Sequence, residues 1–393
     1  MNGAPVTIAT TVEEVEALRP VWQRMTVTDI DSDIDYFLSV VRSGQDVRPY
    51  VLRVCCDGRD MLVVARIQPV SLPLKIGYRK LASVELRAIV VTFGGMMGTR
   101  NRADAKQLLR HLQLPLSTGQ ADIILIRNVD ADGTAYEAAC GLTWLRRSHW
   151  QIVDRRWIAD LPDSLAGLLE GRSAKSRSAI RREERLLLKQ FGTQLHLELY
   201  ARPEQVERLC NDMQRVSART YQFGLGAGYS DSPMQRALVA HGLAKGIYRC
   251  WMVYVNDRPI AFWAGMSHGG TFYLATPGFD PEFERHSIGR YTMFRMFEDL
   301  CSDPVVRKVD FGRGDAQYKA EYSAEAGRLT DIWVAARRPW PILMVCALSM
   351  FSFANSVGKT CIARLRWSAR LKSHWRRRLA GVARDAGLRA SAR

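Results

Sequence analysis

Two stretches of this 393-residue chain run through the same order of elements, and that repetition constrains the fold more than any other feature. In the first, helical patterns around Val12 to Met25 and Asp33 to Arg42 lead into two β-prone runs, Tyr50 to Cys56 and Met61 to Ile67, joined by the turn dipeptide Asp57-Gly58. A strand-like stretch from Leu81 to Phe93, the glycine cluster GGMMG, the helical ADAKQLLRHL and the apolar ADIILIRNV follow. In the second, PEQVERLCNDMQRVSARTY reads as helix, IYRCWMVYV and PIAFWAGM as strands around Asn256-Asp257, and TFYLATPGF as a third strand. SIGRYTMFRMFEDLC and VVRKVDFG then supply a helix and a strand. Val15, Glu16, Leu18, Gln23 and Arg24 stand at the same mutual spacing as Val206, Glu207, Leu209, Gln214 and Arg215. A repeated unit of this size predicts two similar α/β domains with mixed sheets, over residues 1–155 and 156–336, followed by a tail over 337–393.

With 47% hydrophobic and 24% charged residues, the chain can bury a core in each domain. Its eight cysteines are scattered and show no CxxC or Cys/His ligand spacing. That pattern argues against a disulfide framework or a structural zinc and for a reducing, cytoplasmic setting with no metal. The N-terminus lacks a basic segment followed by an apolar one, so no secretory signal is expected.

The net charge of +16 is unevenly placed. From Trp340 onward, eleven basic residues face Asp385 alone, and the body of the chain is only mildly basic, so a nucleic-acid surface is not expected. The tail opens with an uncharged run, Pro339 to Val357, and continues with Ile362, Leu365, Trp367, Leu371 and Trp375 among arginines. Either it packs on its domain, or it lies as an amphipathic helix on an anionic membrane surface, which would place the protein at the inner face of the membrane. Between the two repeats, GRSAKSRSAIRREERLLLKQFG predicts a helix with Arg181, Arg182 and Arg185 on one face. That face is either solvated or anion-binding.

Two stretches carry residue types suited to chemistry. Arg285-His286-Ser287-Ile288-Gly289-Arg290 opens a helix, where unpaired backbone N–H groups and the helix dipole suit a pyrophosphate, although Ser287 is equally a plain N-cap. VDFGRGDAQYKAEYS, Val309 to Ser323, reads as strand, glycine turn and helix. Its Tyr318 and Tyr322 share a face, either as packed aromatics or with one as a general acid. Asp315 either caps that helix and pairs with Lys319, or joins Lys319 in a clamp on donor or acceptor, with Arg313 nearby for a phosphate. His286 and His268 are either structural or bases.

The order helix, strands, Ser287-x-Gly289 helix, strand and DFGRGDAQYK resembles the GCN5-related N-acetyltransferase (GNAT) superfamily, and more narrowly the CelD/BcsL-type acetyltransferases of cellulose and exopolysaccharide biosynthesis. The similar pieces cover most of Val12 to Ala336. The resemblance implies tandem acyl-CoA N-acyltransferase-like domains with mixed central sheets, and a basic helical tail after them. It also implies acetyl-CoA or another acyl-CoA as cosubstrate, with a sugar or another small saccharide precursor as acceptor. Arg285, Ser287, Ile288, Gly289 and Arg290 are then the donor-binding segment. Asp315, Tyr318, Lys319 and Tyr322 are the catalytic candidates, and Met266, Ser267 or a neighbour on the Phe262 to His268 strand supplies N–H groups to the thioester carbonyl. The family's loop is usually (Gln/Arg)-x-x-Gly-x-(Gly/Ala), whereas here Ile288 and Arg290 stand at the small-residue positions. Two other readings fit the same chain: aminoacyl transfer of the Fem kind, and a non-catalytic GNAT-like fold that binds a membrane or a protein.

Overall fold

The computed structural model describes residues 5–364 except 57, 78, 221, 222, 224–227 and 276. The first half of the chain supplies β1 (Val6–Ala9), β2 (Arg48–Cys56), β3 (Arg59–Ile76), β4 (Arg79–Met97) and β5 (Ile123–Asp130). The second supplies β6 (Asp154–Asp160), β7 (Leu195–Tyr200), β8 (Tyr248–Val255), β9 (Arg258–His268), β10 (Thr271–Leu274), β11 (Gly278–Phe279), β12 (Lys308–Arg313) and β13 (Ala324–Ala335). They divide between two compact units. One holds the described residues up to Arg156 with Arg313–Asp315 and those from Ala326 on; the other holds Trp157–Gly312 and Ala316–Glu325.

Both units use one plan. In the first the strand order is β1-β2-β3-β4-β5-β13, and β4 and β5 are parallel, with Ala88 to Val91 facing Ile123 to Ile126. In the second the order is β7-β8-β9-β10-β12-β6, and β10 and β12 are parallel, with Thr271 to Tyr273 facing Lys308 to Asp310. The hairpin between β8 and β9 turns through Asn256 and Asp257, both at positive φ (50° and 59°), the twist that suits flanking strands. This is the mixed-sheet α/β architecture expected from the repeat.

Side-chain alternation gives each sheet two buried faces. In the first unit Val51, Leu62 and Val64 pack under Phe37 and Leu38 of the Ile34–Ser43 helix. Leu52 and Val63, one residue out of step, meet Leu108, Leu109 and Leu112 of the Arg102–Leu112 helix. In the second unit Met293, Met296, Phe297 and Leu300 of the Ile288–Cys301 helix close over Trp251, Phe272, Val309 and Phe311. Each such fully buried side chain stabilises by roughly 1.5–3 kcal/mol.

Three local expectations change. The helix over Val12 to Met25 is two short ones, Val12–Ala17 and Arg19–Trp22, because Pro20 starts a new first turn. The GGMMG cluster lies inside β4 or at its end. The strand over 324–335 pairs with β5, and Val345 of the Pro339–Arg364 helix is fully buried beside Leu72, Val90 and Trp333, so both belong to the first unit and the boundaries 156–336 and 337–393 are not those of the packing. Spatial pairing, not chain order, decides which core they complete. The Trp367 to Trp375 part of the basic tail lies outside the described residues.

Candidate active site

The second unit's site begins where its parallel ladder stops. Tyr273 and Asp310 are the last partners of β10 and β12. Beyond them Ala275 N–H turns to Ala264 O at 2.8 Å, and Gly312 N–H bonds the Asp310 carboxylate at 2.7 Å. The two strands thus part at their carboxyl ends, the end at which α/β sheets present ligands. Gly265, opposite Leu274, permits the close packing there, since a Cβ would stand 2.3 Å from the Tyr273 carbonyl oxygen and 2.7 Å from the Phe272 ring.

The chain then crosses β11 and a short 3-10 turn, Pro281–His286, before the Ile288–Cys301 helix. Asp280 anchors this passage. Its carboxylate is 2% exposed, accepts from Glu282 N–H and is held by Arg219 at 2.8 Å and by Arg258. Ser287 occupies the N-cap place without a capping side-chain bond; it adopts a left-handed conformation instead (φ 54°, ψ 31°), which costs about 1–3 kcal/mol for a residue with a Cβ. A left-handed residue followed by right-handed ones is the backbone pattern that can turn successive amides to one side, as anion-binding turns do. Gly289 also sits against Phe279, whose Cδ1 would lie 3.2 Å from an added Cβ.

A shallow, open cleft lies at this helix end, lined by Ile180, Glu183, Leu187, His286, Arg290 and Tyr291 among others. Arg290 pairs with Glu183 at 3.3 Å and Arg295 with Glu184 at 3.2 Å. These glutamates belong to the Ala174–Phe191 helix, whose face turned to the cleft they occupy, while Arg181, Arg182 and Arg185 of the same helix are exposed. Burial, and then the Arg285 charge, holds the His286 pKa below its ordinary value, and the Arg285 Nε donates to His286 Nε2 at 3.0 Å.

The DFGRGDAQYK corner meets this helix end through a residue that sequence reasoning passed over. Trp263, on β9, donates its indole N–H to Gly289 O at 2.9 Å and is edge-on to Tyr318 with ring centroids 5.4 Å apart. Phe311 flanks Tyr318 at 5.9 Å. Tyr318 is half-buried, whereas Tyr322 is 7% exposed, stacks edge-on with Phe294 and donates to Glu321 Oε1 at 3.3 Å. Burial, and then the Glu321 charge, raises the Tyr322 pKa, so it is a packed neutral phenol. No periodicity marks Trp263; it stands on β9 next to Phe262, the partner of Gly278 on β11, and reaches the helix end through the fold.

The remaining candidates occupy different settings. The helix starts at Gln317 with Ala316 at its N-cap, so Asp315 lies outside the helix, caps nothing and is exposed, and the i, i+4 geometry with Lys319 is lost. Lys319 is 8% exposed. Arg313 is committed to Asp154 at 3.0 Å, Asp331 at 2.8 Å and Asn128 at 3.0 Å. Ser267 N–H donates to Ile247 O at 2.8 Å and Met266 is paired with both Tyr248 and Tyr273, so neither faces the opening. His268 stands six residues along β9 from Phe262, about 20 Å at strand rise.

Residues 174–320 match the family model described as Acetyltransferase (GNAT) domain. Among solved structures, that of FemX is similar over 87% of this chain and 100% of its own, at 12% identity and TM-score 0.56. A protein of unknown function from Bacteroides thetaiotaomicron is similar over 85% of this chain and 100% of its own (14% identity, TM-score 0.49). A tandem GNAT protein from the clavulanic acid biosynthesis pathway is similar over 85% and 99% (11% identity, TM-score 0.49). No curated protein matches. The fold is a tandem of GNAT-like units, and the GNAT domain in the second makes the protein an acyltransferase.

Proposed function

We propose that the second unit transfers an acyl group from acyl-CoA to an amine or hydroxyl of a sugar, as in the making of an envelope or exopolysaccharide precursor. The observation that carries the reading is the convergence on Trp263: the same side chain contacts Tyr318 and bonds the helix end at Gly289. Ile288 and Gly289 amides with Arg290 take the donor pyrophosphate, once Glu183 yields Arg290. The thioester lies in the opening beyond Tyr273 and Asp310. The acceptor nitrogen or oxygen attacks the carbonyl carbon, the new C–N or C–O bond forms, and the C–S bond breaks. Tyr318 gives its proton to the leaving thiolate and is restored by the proton the acceptor loses. The acceptor class rests on the likeness of the DFGRGDAQYK and SxG motifs to the CelD/BcsL type.

A second reading, aminoacyl transfer of the Fem kind, draws support from the FemX fold and from Arg290 standing at a small-residue position of the pyrophosphate loop, already paired with Glu183. Release of CoA thiol from acetyl-CoA on adding an amino-sugar supports the first reading. Transfer from an aminoacyl ester with no thiol release from any acyl-CoA overturns it in favour of the second.

A further inference from the structure

The Pro339–Arg364 helix has two apolar faces, and its own unit covers one. The segment Pro339–Gly358 has a mean hydropathy of 1.6 and is long enough to cross a membrane. It is nevertheless fixed along one side. Met344, Val345 and Leu348 are buried in the first unit's core, Ser349 Oγ accepts from His149 N–H at 3.0 Å, and Asn355 bonds both Gly77 N–H and Lys75 O. A helix so tied does not thread a bilayer by itself.

On its other side Trp340, Leu343, Met350, Phe353 and Val357 are 54%, 56%, 70%, 49% and 45% exposed. They follow one another at steps of three, seven, three and four residues, each close to a whole number of helical turns, which makes one stripe about 26 Å long at helical rise. The stripe has neighbours of the same kind. Trp150, half exposed, packs on Phe353 with centroids 5.1 Å apart, and Trp144 lies edge-on to Trp150 at 6.3 Å. At the far end, Ile76 and Leu81 of the β3–β4 hairpin are 52% and 58% exposed next to the turn that Asn355 holds. A continuous apolar surface of this extent marks an interaction site.

We propose that this face of the first unit docks on an anionic lipid bilayer, with the helix lying in the interface plane. Three observations favour lipid over a protein partner. The stripe carries no charge or hydrogen-bonding register, yet exposed indoles of Trp144, Trp150 and Trp340 border it, the ring type that settles at headgroup depth. Lys75 and Arg337 stand exposed at its margins. From Lys359 on, the sequence adds eleven basic residues against Asp385, so a strongly basic segment follows the apolar one along the chain. None of these residues lines the acyl-transfer site.

The test is co-sedimentation of the full chain with vesicles of phosphatidylcholine plus phosphatidylglycerol, and with phosphatidylcholine alone. Wild type should partition onto the anionic vesicles. Leu343→Glu/Met350→Glu should bind at least about tenfold more weakly, while Leu343→Met/Met350→Leu binds as wild type. Both variants should keep the wild-type melting temperature and the same acyl transfer in vesicle-free solution. Undiminished binding by the Glu variant would assign any lipid affinity to the basic tail and overturn the proposal, as would failure of wild type to bind anionic vesicles.

Discussion

Trp263 Nε1 lies 2.9 Å from the carbonyl oxygen of Gly289, which ties β9 to the first turn of the Ile288–Cys301 helix. A phenyl ring cannot make this bond. Trp263→Phe should cost about 0.5–1.5 kcal/mol of stability through the lost hydrogen bond, and should raise the KM for acyl-CoA severalfold by loosening the helix end. Thermal unfolding with donor-dependent kinetics checks both; unchanged KM would detach Trp263 from the site.

The two tyrosines separate in the same way. Tyr318→Phe should lower kcat by about 100-fold or more, with little change in stability, if Tyr318 protonates the thiolate. Tyr322→Phe removes a hydroxyl bonded only to its neighbour Glu321 and should leave kcat near wild type. Equal kcat losses in the two variants would contradict the assignment.

Glu183 and Arg290 give variants of opposite sign. Arg290→Ala removes a pyrophosphate partner and should raise the acyl-CoA KM, whereas Glu183→Gln releases Arg290 and should lower it. Both side chains are more than a third exposed, at 40% and 34%, so the pair itself is worth at most about 1 kcal/mol and neither change should unfold the protein. Initial-rate kinetics against donor concentration decides; the same sign for both variants would place the pyrophosphate elsewhere.

Much of the architecture was legible because it depends on local signals. Apolar runs, helical spacing and the turns at Gly58 and Asn256-Asp257 are written in consecutive residues. The site was half legible. The SxG helix and Tyr318 could be named, but Glu183 and Tyr291 reach the cleft, and Trp263 the Gly289 carbonyl, through helix packing and sheet register, which no window of sequence contains. Asp315 misled for a smaller reason. A start one residue later put Ala316 at the N-cap and left the acid outside the helix. The final strand misled for a larger one, since β13 completes the first unit's sheet although it follows the second unit in sequence.

His286 should leave a mark on the pH dependence of stability. Burial first, and then Arg285, lowers its folded pKa, whereas the unfolded value is near 6.5. As pH falls, the unfolded chain therefore binds the proton first. Stability that depends on neutral His286 is complete above about pH 6.5 and is lost as pH drops through that value and the lowered folded pKa. Urea midpoints from about pH 7.5 to about pH 5 should fall more steeply in wild type than in His286→Gln; parallel curves would refute this.

Calorimetric titration with acetyl-CoA bears most directly on the claim that the Gly289 helix end and the Tyr318 corner form one acyl-donor site. The expected result is saturable heat in wild type and none in Gly289→Trp, whose side chain would fill the space against Phe279 while circular dichroism shows the fold retained. No saturable heat from acetyl-CoA or longer acyl-CoAs, or undiminished heat in Gly289→Trp, would contradict it.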